Sequence, residues 1–204
     1  MFRIIKNFKV KINHVPLNVP NILSLYRLYS FPFILIFVFL GHKDLFAFFI
    51  CFNLFTDFLD GWIARQFNQM TEIGEKIDGL ADNGTYILAI TGIIFFKWTD
   101  FQPHLVSFSV FLGLFAISRI YFLIKFGICH GFHAYSAKIG GYIHGLFFMV
   151  LFALDFYDWF FYVMIISGYI IFLENLLIVY FLKECRSTVK GIYWLLRERK
   201  MSDP

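Results

Sequence analysis

Residues 44–66 read DLFAFFICFNLFTDFLDGWIARQ. This mostly apolar run carries two aspartates three residues apart, Asp57 and Asp60, in its second half. A helix needs about 20 mostly apolar residues to cross the hydrocarbon core of a bilayer, and this run is long enough. Carboxylates inside such a segment are energetically costly and usually mark function. The run therefore predicts a membrane-spanning helix that carries part of a polar site.

The composition of the whole chain agrees with a membrane protein. Of its 204 residues, 59% are hydrophobic and only 16% are charged, whereas about a quarter of a soluble domain is charged. We predict an all-α integral membrane protein, one domain over residues 1–204, with six transmembrane helices. The predicted spans cover residues 21–41, 44–66, 72–98, 103–126, 137–155 and 159–182.

Both ends of the chain are basic and amphipathic. Residues 1–16 alternate basic and apolar positions, which predicts an interfacial amphipathic helix on anionic headgroups. Residues 183–204 form a basic tail in which 189–200 has a similar pattern; partly ordered tails are the alternative. The first apolar run lacks a small-residue cleavage site, so we expect a retained helix and not a signal peptide.

The placement of lysine and arginine predicts the orientation. With six spans both tails lie on one side, together with Arg65, Lys125 and Lys138, and the other side receives only Lys43 and Lys97. The positive-inside rule then makes both termini cytoplasmic. Basic tails beside apolar spans are expected to bind an anionic membrane surface. We expect no binding of nucleic acid.

Four aspartates lie near the cytoplasmic ends of two adjacent spans. Asp57 and Asp60 are three residues apart in the second span, and Asp78 and Asp82 are four apart in the third. Both spacings place the pair on one helix face, and the connection between the spans is short. We therefore expect the four carboxylates to meet at a cytoplasmic site.

Carboxylates brought together in a low dielectric would repel one another and take up protons unless positive charge lies among them. Oxygen ligands without cysteine or histidine favour hard cations, so we expect Mg²⁺ or Mn²⁺, and four carboxylates suit two ions. The alternative is a static polar core in which basic residues neutralise the aspartates. Only Arg65 and Lys76 are close in sequence, which is too few for four carboxylates.

Small residues flank the aspartates. Gly61 and Ala64 share the face of Asp57, and Gly74 precedes Asp78 by one turn. Small residues in membrane helices often serve close packing alone, but beside metal ligands they also leave room for a flat ligand. Arg65 follows with a guanidinium suited to phosphate oxygens. The combination predicts a substrate that contains a diphosphate.

The motif running from Asp57 to Asp82 reads D-x-x-D-G-x-x-A-R, then eight residues, then G-x-x-x-D-x-x-x-D. It resembles the signature of the CDP-alcohol phosphotransferase family at every fixed position. The stretch from Pro20 through Asn21 and Ser24 to Arg27 is similar to the P-N-x-x-[TS]-x-x-R sequence of the phosphatidylglycerophosphate synthase branch. That branch commonly reads D-P-x-A-D-K at the last two aspartates, where this chain reads DGLADN.

The resemblance implies transfer of a phosphatidyl group from CDP-diacylglycerol to the hydroxyl of a small alcohol, with release of CMP, in phospholipid synthesis. It implies that Asp57, Asp60 and Asp78 hold metal, and that Asp82 is both a ligand of the second ion and the general base. It also implies a homodimer. The implied CDP-lipid pocket comprises Asn21, Ser24, Gly61, Ala64, Arg65, Thr71 and Gly74.

Two basic residues bear on the acceptor. Arg119 lies within the fourth span and Lys138 opens the fifth, and an intramembrane arginine usually faces a functional cavity. Together they predict an acceptor that carries a phosphate, either glycerol 3-phosphate or an inositol phosphate. Alternatively, Lys138 reaches the headgroups and Arg119 pairs with an acid such as Glu174.

Other functions stay open on the sequence. Inositol, serine and phosphatidylglycerol are further candidate acceptors. A divalent-cation transporter would need its carboxylates near the middle of the bilayer with access from both sides. A catalytically inactive scaffold with the same fold is a third possibility, although every position of the motif is filled.

Overall fold

The computed structural model describes residues 18–126, 134–182, 189 and 191–202, and these residues contain helices and no strand. The predicted arm at residues 1–16 lies outside them, as do residues 183–188 of the tail. The helices are α1 (Val19–Phe39), α2 (Lys43–Gln66), α3 (Glu72–Phe96), α4 (Trp98–Phe101), α5 (Leu105–Phe126), α6 (Tyr135–Ala153), α7 (Asp158–Phe181) and α8 (Ile192–Ser202).

Six helical segments of the described chain are long and apolar enough to cross a membrane, which confirms the prediction of six spans. The fourth segment, Trp98–Phe126, includes α4, a 3-10 turn at Gln102–His104, and α5. The first span begins earlier than predicted because the Asn18 side chain caps α1, accepting a 3.1 Å hydrogen bond from Asn21 N. Pro20 follows in the first turn, where a missing N–H costs little.

The described chain divides into two compact units. The first, here the N-terminal unit, contains residues 18–103 and 148–156. The second, here the C-terminal unit, contains residues 104–126, 134–147, 157–182, 189 and 191–202.

In the N-terminal unit, α1 packs against both α2 and α3. Ile34 of α1, Ile50 of α2 and Leu88 of α3 are among the fully buried side chains. At the far end of α3, the Lys97 ammonium lies 2.8 Å from Asp155 Oδ1. This hydrogen bond, with a second from Phe156 N, lowers the pKa of the Asp155 carboxyl below its ordinary value.

In the C-terminal unit, α5 packs against α7. The rings of Phe111 and Phe172 lie 5.2 Å apart between the two helices. Lys125 Nζ donates to the carbonyl oxygens of Val179 (2.6 Å) and Tyr180 (3.0 Å). These carbonyls belong to the last turn of α7 and have no partner within the helix, so the ammonium satisfies them.

The C-terminal tail contains the helix α8, which docks on the end of α7. A buried apolar cluster that includes Ile178 and Leu182 packs against Ile192 and Leu195 of α8. Glu174 Oε1 accepts a 3.0 Å hydrogen bond from Ile192 N, the first residue of α8. A carboxylate at a helix N-terminus accepts a hydrogen bond from a free amide and interacts favourably with the positive end of the helix dipole. Glu174 therefore caps α8 from a neighbouring helix.

We predict that Glu174→Ala loosens α8, because loss of a helix cap costs about 0.5–2 kcal/mol. Hydrogen exchange at residues 192–202 should become faster in this variant. Glu174→Gln, which keeps an acceptor oxygen but loses the charge, should lie between Ala and the native residue. Equal exchange in all three proteins would show that the cap does not hold the helix.

Candidate active site

The four aspartates converge between α2 and α3, as predicted from their spacing. Asp57 and Asp60 lie in the last turns of α2, and Asp78 and Asp82 lie in the first turns of α3. One carboxylate oxygen from each of Asp57, Asp60 and Asp78 lies within 4.8 Å of the other two. The two helix faces therefore meet and form one acidic cluster.

A guanidinium from a third helix lies at the centre of this cluster. Arg27 of α1 is buried, and its side chain contacts all four carboxylates. Nη1 donates to Asp57 and to Asp82 (2.9 Å), while Nη2 donates to Asp60 (2.7 Å) and to Asp78. Each Nη carries two hydrogens, so both groups are fully used.

Arg65 and Lys76 are close to the aspartates in sequence, but the guanidinium at the centre of the cluster comes from a residue that is distant in sequence. Arg27 lies 30 residues before Asp57 in sequence, and the packing of α1 against α2 and α3 brings it into the cluster. Lys76 and Arg65 are exposed instead. Arg27 is the last residue of the family-like stretch that begins at Pro20. That resemblance marks Arg27 in the sequence but does not indicate that it contacts the aspartates.

One guanidinium does not balance four carboxylates. With every aspartate ionised, three negative charges remain in excess, and Asp60 is almost fully buried at 4% exposure. Asp57, Asp78 and Asp82 are more open, at 43%, 42% and 43% of the side chain. Clustered carboxylates in a low dielectric take up protons or require further positive charge.

Arg27 also carries an unused donor. Its Nε is buried and has no hydrogen-bond partner among the described residues. A buried donor without a partner costs about 1–3 kcal/mol. The position of the guanidinium in the cluster therefore satisfies its Nη groups but not the whole side chain.

The cluster fits a hard divalent cation. Opposite ligands of an octahedral ion with bonds of about 2.1 Å are about 4.2 Å apart, and the oxygens of Asp57, Asp60 and Asp78 lie within 4.8 Å of one another. Adjacent ligands of such an ion are about 3.0 Å apart, so the three oxygens would approach one another further on binding a single ion. The carboxylate donors and the excess negative charge both suit such an ion.

The predicted pocket residues Asn21, Thr71 and Gly74 are joined where α1 begins and α3 begins. Asn21 Nδ2 donates to Thr71 Oγ1 (3.3 Å), and Thr71 Oγ1 accepts from Gly74 N (3.0 Å) as the cap of α3. A Cβ on Gly74 would lie 2.7 Å from Thr71 Oγ1 and still closer to Asn21 Oδ1. Glycine at this position is therefore required by the close approach of α1.

Ser24 links this end of α1 to the aspartates. Its hydroxyl lies 3.1 Å from Asp60 Oδ2, to which it donates. Gly61 and Ala64 follow on α2, and a Cβ on Gly61 would lie 3.6 Å from Nη2 of Arg65. The Arg65 side chain thus folds back beside Gly61, the residue that follows Asp60 in sequence.

The candidate acceptor residues Arg119 and Lys138 lie in the C-terminal unit, on α5 and α6, and both are exposed. The Arg119 guanidinium lies 5.5 Å from the ring centre of Phe115. The alternative that pairs Arg119 with Glu174 is wrong in the described part of the chain, because the Glu174 carboxylate binds the start of α8 and no ion pair joins it to Arg119.

Comparison with known proteins identifies a family that the chain matches. The family model described as CDP-alcohol phosphatidyltransferase matches residues 17–180. No solved structure gives a significant match.

Several curated relatives are similar to the chain. A CDP-diacylglycerol–glycerol-3-phosphate 3-phosphatidyltransferase of Aquifex aeolicus is 37% identical over 97 residues, which cover 48% of this chain and 53% of the relative. Proteins of the same name from Wigglesworthia glossinidia brevipalpis (38% over 81 residues; 38% and 43% of the two chains) and Salmonella typhimurium (32% over 76 residues; 36% and 42%) also match.

The alignments thus span about half of these relatives or less. The family model is more extensive, because it covers most of the chain, from two residues before α1 to the last turn of α7. It includes the motif from Asp57 to Asp82 and the helix that carries Arg27. The chain therefore belongs to the CDP-alcohol phosphatidyltransferase family.

Proposed function

We propose that this protein transfers the phosphatidyl group of CDP-diacylglycerol to glycerol 3-phosphate and releases CMP. The observation that carries the proposal is the convergence of Asp57, Asp60, Asp78 and Asp82 at one end of the α2–α3 pair, in a chain of this family. The names of the relatives support glycerol 3-phosphate as the acceptor.

The acidic cluster would hold the metal that the reaction needs. Asp57, Asp60 and Asp78 are the proposed ligands of one ion, since their oxygens already lie within 4.8 Å of one another. Asp82 shares Nη1 of Arg27 with Asp57 and would contribute to a second ion. Bound Mg²⁺ or Mn²⁺ would supply positive charge that stabilises the diphosphate oxygens as charge develops on them.

Asp82 is the proposed general base. Its carboxylate would accept the proton of the acceptor hydroxyl while that oxygen attacks the phosphorus on the lipid side of the diphosphate. The bond from this phosphorus to the bridging oxygen then breaks, and CMP leaves with that oxygen. The 43% exposure of Asp82 leaves room for a hydroxyl beside it, whereas Asp60 at 4% has none.

The start of α1 and the α2–α3 connection would bind the CDP group. The hydrogen bonds among Asn21, Thr71 and Gly74 hold the start of α1 against the start of α3. The Ser24 hydroxyl, one turn further along α1, donates to Asp60. Gly61 and Ala64 would leave space on α2 for the nucleotide. The Arg65 guanidinium beside Gly61 would bind phosphate oxygens.

Arg119 and Lys138 are the proposed ligands of the acceptor phosphate. A phosphate on the acceptor calls for cations, and these two side chains are exposed on their helices. By the positive-inside rule we propose that the termini and the active site are cytoplasmic, where a soluble acceptor would arrive. We also propose a homodimer, as the family resemblance implies.

The location of the cluster favours an enzyme over a divalent-cation transporter. α2 ends six residues after Asp60 and α3 begins six residues before Asp78, so these aspartates lie near helix ends and not at mid-span. A transport path would need carboxylates at the middle of the membrane.

The first test is CMP release from CDP-diacylglycerol by the purified full chain with Mn²⁺ or Mg²⁺. We expect release with glycerol 3-phosphate and little with inositol phosphate, inositol, serine or phosphatidylglycerol. EDTA should abolish it. Absence of CMP with every acceptor would refute the proposed reaction, while release with a different acceptor would correct only the substrate.

The second prediction concerns Asp82. Asp82→Asn should lower kcat by roughly 10²–10⁴-fold, the usual contribution of a general base, because an amide cannot take the proton. Its unfolding temperature should change little, since the amide oxygen still accepts from Arg27. Asp155→Asn, an exposed aspartate paired with Lys97, is the matched control and should keep full activity. An active Asp82→Asn protein would rule out the base.

The third prediction concerns the acceptor. Arg119→Gln and Lys138→Gln should each raise KM for glycerol 3-phosphate by about tenfold, because a charge-assisted hydrogen bond contributes about 1.5–3 kcal/mol. The KM for CDP-diacylglycerol should stay the same. Lys125→Gln is the control variant, because Lys125 binds the last carbonyls of α7 and is not proposed to bind the acceptor. An unchanged KM in both variants would remove these residues from the acceptor site.

A further inference from the structure

Arg27 has no part in the reaction proposed above, yet it is the residue that contacts every candidate metal ligand. We propose that Arg27 is an exchangeable internal counter-ion, whose guanidinium holds the four carboxylates in place without metal and leaves the cluster when divalent cations bind. The inference rests on the metal site of the proposed function.

The guanidinium and a metal ion would use the same atoms. Arg27 bonds Oδ1 of Asp57, Oδ2 of Asp60 and Oδ1 of Asp78, together with Oδ1 of Asp82. An ion with bonds of about 2.1 Å to these oxygens would lie in the space that the two Nη atoms occupy. Both cannot be present, so metal binding at the centre of the cluster requires the side chain to move.

The arrangement of the hydrogen bonds also resembles that of a metal site. Each Nη bridges one aspartate of α2 and one of α3: Nη1 joins Asp57 to Asp82, and Nη2 joins Asp60 to Asp78. A bridging cation would join the same two helices. The planar fork of arginine therefore holds one carboxylate of each helix on each nitrogen, and it offsets the repulsion that would separate α2 and α3.

Two observations indicate that the guanidinium is not a permanent partner. It leaves three negative charges unbalanced if all four aspartates are ionised, and three of the carboxylates keep more than two fifths of their surface open. Its Nε is buried without a partner among the described residues. Divalent ions would balance the charge, and movement of the side chain would release the unpaired donor.

A purely structural role makes the opposite prediction. If Arg27 stayed in place, ions would bind only the outer oxygens of Asp57, Asp78 and Asp82, and the arginine would organise those ligands. Removing it would then weaken metal binding. The exchange model predicts stronger binding after removal, because a competitor for the same oxygens has gone.

The experiment measures Mn²⁺ binding and unfolding without any substrate. Full-length wild type, Arg27→Gln, Arg27→Lys and Lys76→Gln are purified in detergent and stripped with EDTA. Free Mn²⁺ is followed by electron paramagnetic resonance during titration, and unfolding temperatures are measured in EDTA and in Mn²⁺. Lys76→Gln is the matched control because it removes an equal charge from an exposed position on α3.

We expect Arg27→Gln to bind Mn²⁺ at least about tenfold more tightly than wild type, since a unit charge about 4 Å away changes an equilibrium by more than this at a dielectric near 20. Its unfolding temperature should be lower than wild type in EDTA, and Mn²⁺ should raise it more than in wild type. Arg27→Lys should be intermediate, because an ammonium keeps the charge without the fork. Lys76→Gln should match wild type.

If Arg27→Gln does not fold in EDTA, it is purified with Mn²⁺ and the ion's dissociation into excess EDTA is timed against wild type and Arg27→Lys; slower release supports the exchange. Equal or weaker Mn²⁺ binding in Arg27→Gln and Arg27→Lys would overturn it, as would no binding in any of the proteins. Because no substrate is used, a failed CMP-release assay leaves this result standing, and the reverse also holds.

Discussion

Repulsion among four carboxylates in a low-dielectric setting is the constraint on which the N-terminal unit depends. Asp57, Asp60, Asp78 and Asp82 bring two helix faces together with like charge, which must be offset by protons or by a cation between α2 and α3. Arg27 supplies that cation from α1. The need for positive charge thus binds three helices into one unit.

The same constraint explains how closely α1 is held. Ser24, one turn before Arg27, donates to Asp60, and Asn21, one turn further, donates to the cap residue of α3. Gly74 permits this approach because a side chain there would meet Asn21 and Thr71. Residues that we propose to bind substrate therefore also fix the helix that carries Arg27.

The polar groups of the C-terminal unit are satisfied in a different manner. Lys125 occupies the last carbonyls of α7, and Glu174 occupies the first amide of α8. Buried backbone ends need partners wherever water is scarce, and these two charged side chains provide them within the unit. Glu174, whose role the sequence left open, is therefore a helix cap.

The sequence by itself determined the six spans, because apolar runs of about 20 residues have few alternatives to a membrane helix. It also determined that Asp57 and Asp60, like Asp78 and Asp82, share a helix face, because helical periodicity is local. Only the tertiary structure placed Arg27 among them and Glu174 on α8, since contacts between helices join residues far apart in sequence. The charge partner of the aspartates was decided by packing, which no local spacing encodes.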